Sequence, residues 1–451
     1  MSAKKRCKSP IKVGFVALGC PKNFVDAEKM LGLIAEAGLV ITADIENADV
    51  VLINTCGFIA PAKAEAIDAI KQAVADKNKG LVKKVIVAGC LSERMGEKLA
   101  DEVQGIDAVV GLAARDRIAD IIIETMNSDT AVTYLSEKNT VPISQDDRGR
   151  LLISPAHWAY LRISEGCDRK CSFCTIPSIK GPFRSKPLEM IIDEANELVE
   201  NGAVELSLIA QDSSFYGKDL KIQNGLLKLL ARLEQIEKLK WIRLMYLYPT
   251  GIDDVLIETI ASSKKILHYF DMPLQHINSQ ILKNMRRTET RKNIIELIKK
   301  LRTAMPASAL RTTVIVGFPG ETDKQFEELL DFVKWAKFDA LGCFTYYREE
   351  PTVSAGMPGQ IPEDVKEERM ERIMLAQQEI VFARNREKIG DELICLIDEN
   401  DRRTPAKSRS YAQAPHIDSL CLVNRCTATP GQFINAKVVG SKDYDLIVEQ
   451  T

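Results

Sequence analysis

The chain has only four histidines among 451 residues: His157, His268, His276 and His416. They form no cluster, so no histidine metal site of the zinc-hydrolase kind is readable. No apolar run reaches the roughly 20 residues that a membrane-spanning helix needs. The N-terminal MSAKKRCKSP is basic but leads straight into the strand-like IKVGFVALG, too short and too poorly flanked for a signal peptide. A cytoplasmic protein is therefore expected. The formal net charge is −2, which excludes a chain that grips nucleic acid by bulk electrostatics. Heptads, low-complexity tracts and repeats of roughly 20–50 residues are lacking as well. Cysteine is what the chain does have. Eleven cysteines in a cytosolic protein argue for metal or redox chemistry before disulfides.

Six of those cysteines fall into two groups of three. One is local: Cys167, Cys171 and Cys174, in SEGCDRKCSFCTIP. The other is dispersed: Cys20, Cys56 and Cys90 end the apolar runs VGFVALGC, DVVLINTC and KKVIVAGC. Three thiolates hold three irons of a cubane cluster and leave the fourth open for reaction, whereas a four-cysteine cluster usually only carries electrons.

The spacing of apolar residues predicts an α/β chain of three modules. Residues 1–135 alternate short apolar strands with helices such as DAEKMLGLIAEAG, stopped at Gly38, the pattern of a doubly wound parallel sheet. Residues 136–152 are polar and turn-rich and read as a linker. Residues 153–380 carry six strand–helix repeats, from WAYLRIS to LGCFTYY, which suit a partial (βα)6 barrel with its chemistry at the strand C-termini. The charged helix around EDVKEERMERIMLAQQEIVFARNREKIG ends this module and reads as a solvated face. Residues 381–451 turn to short strands and turns, as in a small antiparallel β-barrel.

The local triad admits three readings. Positions i, i+4 and i+7 share one face of a helix, so a buried core stripe fits the spacing. The stretch is polar, however, and lies between Gly166 and Pro177, which makes it a loop. Zinc needs a fourth ligand, and none lies close by in sequence. The iron–sulfur reading is favoured. For the dispersed triad, each cysteine alone reads as a small buried hydrophobe. Their common place at strand C-termini lets them converge at one sheet edge, and Gly19 and Gly89 let the backbone approach a bulky group.

With Phe173 as its aromatic residue, the local triad resembles the radical S-adenosylmethionine (SAM) superfamily signature, CxxxCxφC with φ aromatic. The resemblance implies that the open iron chelates the amino and carboxylate groups of SAM. One electron then cleaves the sulfonium and yields a 5′-deoxyadenosyl radical that abstracts hydrogen from an unactivated C–H bond. ALGCPKNFVDAE, NTCGFI and AGCL are similar to the N-terminal domain of methylthiotransferases, in which these cysteines hold an auxiliary cubane cluster that carries the sulfur. SEGCDRKCSFCTIPSIKGPFRS, IAQDSSFYG, RLMYLYPTGI, YFDMPLQHI, TTVIVGFPGET and KDYDLIVE extend the resemblance over nearly the whole chain. They point to the branch that modifies an aspartate of small-subunit ribosomal protein S-twelve. The alternative branch, tRNA adenosine 2-methylthiotransferases, typically has GCQMN where this chain has GCPKN, and a more basic final domain. From Arg386 on, nine basic residues here stand against ten acidic ones. That module resembles the TRAM domain, and its charge balance suits RNA backbone poorly. Thr175 and Ser213 depart from the family's usual aliphatic residue and threonine.

The resemblance implies two 4Fe-4S clusters and SAM as cofactors. The implied partners are the ribosomal protein, alone or within its subunit, and a low-potential donor such as flavodoxin or ferredoxin. No side chain is assigned an acid or base role. Gln211 and Asp212, at the end of one barrel strand, and Gln275 and His276, at the end of another, are SAM contacts or else plain strand caps and core. Gly317, Pro319 and Gly320 resemble the glycine turn that flanks the adenosyl group, and a purely structural turn competes. Arg184 is a carboxylate partner or a solvated residue. Cys7, Cys343, Cys395, Cys421 and Cys426 read as structural or free. A non-catalytic electron carrier or zinc-stabilised scaffold is the reading from another class, and cleavage of SAM to 5′-deoxyadenosine discriminates against it.

Overall fold

The computed structural model describes residues 10–135 and 146–451, so Cys7 and most of the expected linker lie outside the described residues. The chain forms two compact units. One runs to Ile153 and regains Thr175–Pro182, and the other holds Ser154–Cys174 and Phe183–Thr451.

In the first unit, strands β1 (Lys12–Ala17), β2 (Val40–Thr42), β3 (Val50–Thr55), β4 (Lys84–Gly89), β5 (Ala108–Val110) and β6 (Val132–Tyr134) form one sheet of order β2-β1-β3-β4-β5-β6. All its pairings are parallel. Helices α1 (Pro21–Glu36), α2 (Ala60–Asn78), α3 (Cys90–Met95), α4 (Glu97–Glu102), α5 (Ile118–Met126) and α6 (Ile176–Lys180) complete the unit. Side chains alternate across a strand. Val51, Ile53, Val85 and Val87 therefore pack with Ile70 and Val74 of α2. Val50, Leu52 and Ile86 pack with Met30 and Ile34 of α1 and Ile121 of α5. Both faces are covered, as a doubly wound sheet requires. The strand order reverses between β1 and β3, and such a switch point is where open α/β sheets bind ligands. The end of the expected linker is not simply solvated. Asp147 is fully buried, and Arg150 is buried with its Nη1 3.1 Å from Glu28 Oε2 of α1.

The second unit begins with β7 (Trp158–Arg162), the short ladder β8 (Ser164–Glu165) with β9 (Arg184–Ser185), and α7 (Leu188–Glu200). It continues with β10 (Glu205–Ile209), α8 (Gly225–Glu234), β11 (Trp241–Leu244), α9 (Asp254–Ser262), β12 (Tyr269–Gln275), α10 (Ser279–Asn284) and α11 (Arg291–Ala304). Then come β13 (Ala309–Val316), α12 (Asp323–Ala336), β14 (Ala340–Thr345) and α13 (Glu363–Glu387). Six strands pair in parallel as β11-β10-β7 and β12-β13-β14. An isolated parallel bridge between Ile242 and Ile266 is formed at the junction of the two halves. β11 stops short of the apolar run WIRLMYLYP, because Tyr246 takes a positive φ of 58° that breaks the extended chain.

α13 departs from the solvated helix expected. Its Lys366 and Arg369 are buried. Lys366 Nζ donates to Tyr346 O at 3.0 Å, and Arg369 Nη1 donates to Glu321 O and Oε1 at 3.2 and 3.1 Å. Long basic side chains bury their stems and keep a charged tip for a partner.

Strands β15 (Glu392–Glu399), β16 (Ala406–Arg409), β17 (Cys421–Asn424), β18 (Phe433–Lys442) and β19 (Asp445–Gln450) close into a barrel of order β15-β16-β17-β19-β18. The expected wholly antiparallel barrel is corrected at one seam, where β17 and β19 run parallel. Five strands cannot alternate direction around a closed ring, so one parallel pair is forced. The segment from Arg409 to Asp418 caps the N-terminal ends of the (βα) strands. Tyr160 Oη donates to Pro415 O at 3.3 Å, Arg243 Nη1 to Tyr411 O at 2.7 Å, and Tyr269 Oη to Asp418 Oδ2 at 2.7 Å. Trp158 meets His416 edge to face at 4.8 Å. At the centre, fully buried Glu205 lies 2.8 Å from Arg243 Nε and 2.6 Å from Arg409 Nη1. Arg409 also grips Asp398 at 2.7 Å, and His157 Nε2 lies 2.9 Å from the same carboxylate.

Candidate functional site

At the carboxyl edge of the first unit's sheet, Cys20 directly precedes α1, Cys56 follows β3, and Cys90 opens α3 straight from β4. The structure brings the three together. Gly19 has φ 102°, and a Cβ there would stand 2.9 Å from Cys56 Cβ. Gly57 lies so close to α3 that a Cβ would meet Leu91 Cα at 2.8 Å. Asn23 of α1, a residue that sequence reasoning missed, ties the loops to one another. Its Nδ2 donates to Thr55 O at 2.7 Å and Leu18 O at 3.2 Å, while its Oδ1 accepts from Cys90 Sγ at 3.2 Å. Asn23 stands three residues past Cys20 in GCPKN, but a single asparagine in a helix carries no periodic signal.

Burial pushes the Cys56 and Cys90 thiols up, and the thiols of the triad raise one another further. A buried thiol becomes a good ligand when a cation replaces its proton. The donor set therefore suits a thiophilic metal group. Among the described residues no three His, Cys, Asp or Glu side chains are closed to metal-holding geometry, so neither triad has its thiols gathered on one point.

The local triad occupies an irregular loop after β8, at the C-terminal side of the (βα) strands. Ser172 pins it: its N donates to Met285 O at 3.0 Å, its Oγ to Asn284 O at 2.8 Å, and its carbonyl accepts from Ser354 N at 2.9 Å. Arg169 N donates to Cys167 Sγ at 3.4 Å, and Cys174 N donates to Cys171 O at 3.3 Å. Burial pushes the Cys167 thiol up to about 11 and raises Cys171, the latter opposed by Arg287. The Tyr248 ring lies between two guanidiniums, Arg169 at 3.7 Å and Arg287 at 4.3 Å. These three residues were also missed, because nothing in the run RLMYLYP marks which side chains face the loop.

The remaining sequence candidates are distributed as follows. Phe173 packs against Ile281, Met285, Phe318 and Tyr346. Asp212 is buried and committed, receiving Arg169 Nε at 2.9 Å and Ser214 Oγ at 2.5 Å. Gln211 Nε2 donates to Glu165 Oε1 at 2.7 Å, while its Oε1 is buried with no hydrogen-bond partner among the described residues. Such an orphaned acceptor fits a ligand that carries N–H donors, as the ammonium of SAM does. Gln275 ends β12 at φ 70°. His276 is fully buried: its Nδ1 accepts from Asn278 N at 2.9 Å and its Nε2 lies 3.9 Å from Glu321 Oε2. Burial, helped by Arg369, lowers its pKa to about 3, so the ring is neutral. Glu321 Oε2 accepts from Gly317 N and Phe318 N at 2.7 and 3.2 Å and so shapes the turn through Pro319 to Gly320. Gly320 N donates to Gly359 O at 2.8 Å. Arg184 stands opposite Glu165 in the β8–β9 ladder. Cys343, Cys395, Cys421 and Cys426 are thiols, with Cys395 and Cys421 inside the small barrel. Thr175, the unusual residue after Cys174, donates its hydroxyl to Phe58 O at 3.1 Å.

Comparison with known proteins agrees with these placements. Residues 161–333 match the radical SAM superfamily, residues 12–111 the uncharacterized protein family UPF0004, and residues 389–450 the TRAM domain. A solved relative in fold is the radical SAM methyltransferase TsrM from Kitasatospora setae, with TM-score 0.55 at 14% identity over 77% of this chain and 74% of that one. The ribosomal protein uS12 methylthiotransferase RimO of Geobacter sulfurreducens is 46% identical over 97% of this chain and 98% of its own length. The enzyme of that name from Pelobacter propionicus is 45% identical over 97% of both chains, and that from Caldicellulosiruptor saccharolyticus is 42% identical over 97% of this chain and 99% of its own. With near-complete coverage on both sides and all three modules accounted for, the chain belongs to the RimO methylthiotransferase family of the radical SAM superfamily.

Proposed function

We propose that this enzyme converts a specific aspartate of ribosomal protein uS12 to 3-methylthioaspartate, through C–H abstraction, sulfur insertion and methylation. The observation that carries the reading is full-length similarity, at 42–46% identity, to enzymes named for uS12 methylthiolation. In this reading Cys167, Cys171 and Cys174 hold the SAM-binding 4Fe-4S cluster, and Cys20, Cys56 and Cys90 hold an auxiliary one. When bound, the first cluster supplies one electron to SAM and cleaves its sulfonium. A low-potential donor such as flavodoxin or ferredoxin replaces that electron.

The chain's own residues build the surroundings. Arg169 and Arg287 place cations beside Cys167 and Cys171, which favours thiolate over thiol. Gln211 offers its buried acceptor to SAM, Asp212 holds Arg169 in place, and Phe173 anchors the loop on the apolar patch beside Phe318. Gln275, His276 and Gly317 complete the wall, with His276 as a neutral ring. The modules act as 1–135 for the auxiliary cluster, 153–380 for SAM and 381–451 for the ribosomal partner. No helix of the described residues is long and apolar enough to cross a membrane, in keeping with work on a cytoplasmic ribosomal protein.

Anaerobically reconstituted enzyme, SAM and a reductant are incubated in parallel with uS12 and with tRNA. Methylthioaspartate in uS12 is the expected product, and 2-methylthioadenosine in tRNA overturns the assignment. Replacing Cys167, Cys171 and Cys174 together by alanine abolishes 5′-deoxyadenosine formation; retained cleavage refutes their role.

A further inference from the structure

Helix α6 returns to the first unit directly after Cys174 and ends at Lys180, whose side chain is 4% exposed. A buried ammonium needs a reason, because taking it out of water is costly unless it is paired. Its Nζ lies 3.3 Å from Asp26 Oδ2 of α1, longer than the 2.7–2.9 Å typical of a charge-assisted bond. Asp26 is already held by Arg115 Nη1 at 2.7 Å, and that guanidinium also reaches Asp147 at 3.3 Å. Asp26 thus lies between two cations, and neutralising it does not by itself account for Lys180. The charge of Lys180 reaches both Cys56 and Cys90 and favours their thiolates. Asp26 sits three residues past Asn23, one helical turn along α1, and opposes that effect at Cys90.

We infer that Lys180 is a positioning residue of the auxiliary site: its ammonium raises the reduction potential of the cluster held by Cys20, Cys56 and Cys90. The inference rests on the two-cluster reading above. Three thiolates bring negative charge into a buried edge, and a one-electron reduction adds one more. A fixed cation close to that charge stabilises the reduced form more than the oxidised one, in a setting where screening is weak. Asp26 sets the opposite bias and holds the ammonium in place.

The test is an anaerobic titration with dithionite, followed by electron paramagnetic resonance. It uses the full chain with Cys167, Cys171 and Cys174 replaced by alanine, so that only the auxiliary cluster reports. In that background Lys180→Met lowers the midpoint by about 59 mV or more, a tenfold change in a one-electron equilibrium. Lys180→Arg keeps it near the parent value, and Asp26→Asn moves it upward. A purely structural Lys180 would lower the melting temperature of Lys180→Met and leave the potential where it was; that result, at full iron content, overturns the inference. If Lys180→Met does not fold, the Asp26→Asn arm decides, and an unchanged potential there refutes it. A background protein that binds no cluster refutes the auxiliary-cluster reading itself, and the inference falls with it.

Discussion

Asn23 Oδ1 accepts a hydrogen bond from the Cys90 thiol at 3.2 Å while its Nδ2 donates to Thr55 O at 2.7 Å. One side chain from the first turns of α1 therefore couples the loops that follow β3 and β4, and its third bond, to Leu18 O, adds the loop that follows β1. Asn23→Ala leaves two carbonyls without this donor, at a cost of about 1–3 kcal/mol. The expected outcome is a lower melting temperature and iron content falling from about eight toward about four per chain, the count for one cubane cluster. Unchanged iron in a folded variant would exclude Asn23 from organising the dispersed triad.

The ion-pair group beneath the (βα) strands makes a sharper stability prediction. Arg409→Ala strands Glu205 at 0% exposure with only Arg243 beside it. Breaking a buried pair on one side costs about 3–5 kcal/mol, whereas exchanging all partners for apolar residues of similar volume is often neutral. Denaturant titration is expected to show a large loss for Arg409→Ala and recovery when Glu205→Leu, Arg243→Met and Arg409→Met are combined. Equal losses in both would mean that the small barrel is held by apolar contacts such as Trp241 against Phe433, 4.9 Å apart.

The same group sets a pH dependence. Burial alone would raise Glu205, but the guanidiniums of Arg409 and Arg243 outweigh it and hold the carboxyl below its ordinary 4.5. Burial likewise opposes, and His157 with Arg409 overcomes, at Asp398, held below 3.8. A carboxyl depressed in the folded state contributes stability that is fully present above its unfolded pKa and lost as pH falls through the folded one. Denaturation midpoints are therefore expected to be level near neutrality and to drop below pH 4.5, with a shallower acid limb in Arg409→Ala. A parallel acid limb in that variant would contradict the assignment.

Gly317 and Gly320 separate backbone strain from packing. Both have positive φ, 71° and 82°, but a Cβ at Gly317 would meet Lys366 Cγ at 2.3 Å while one at Gly320 meets nothing within 4 Å. Gly320→Ala should cost only the left-handed backbone penalty, about 1–2 kcal/mol. Gly317→Ala should cost more and, by displacing Lys366 from Tyr346 O, weaken SAM binding measured by calorimetry. Equal effects of the two on SAM affinity would detach the turn from the cofactor.

Much was legible in the residues themselves. The parallel sheet of the first unit follows from runs such as VVLINT, buried on both faces, and α1 ends where Gly38 follows it. The Cys167–Cys174 loop is visible because its spacing, polarity and flanking breakers all lie within one short stretch. The seam between β17 and β19 was not legible, since direction around a closed ring is a property of the whole barrel. Lys366 and Arg369 looked solvated because composition does not tell which face of α13 packs.

By itself the sequence determined the order of elements, the two cysteine groups and the family, because periodicity and short motifs are local in the chain. Only the tertiary structure decided that Asn23 joins three strand ends, that Lys180 meets Asp26 on α1, that Tyr248 lies between Arg169 and Arg287, and that Arg409–Asp418 caps the (βα) strands. Each of those relations pairs residues far apart in the chain. Such pairs are selected by strand order and by the high cost of burying a charge without a partner, which no local pattern records.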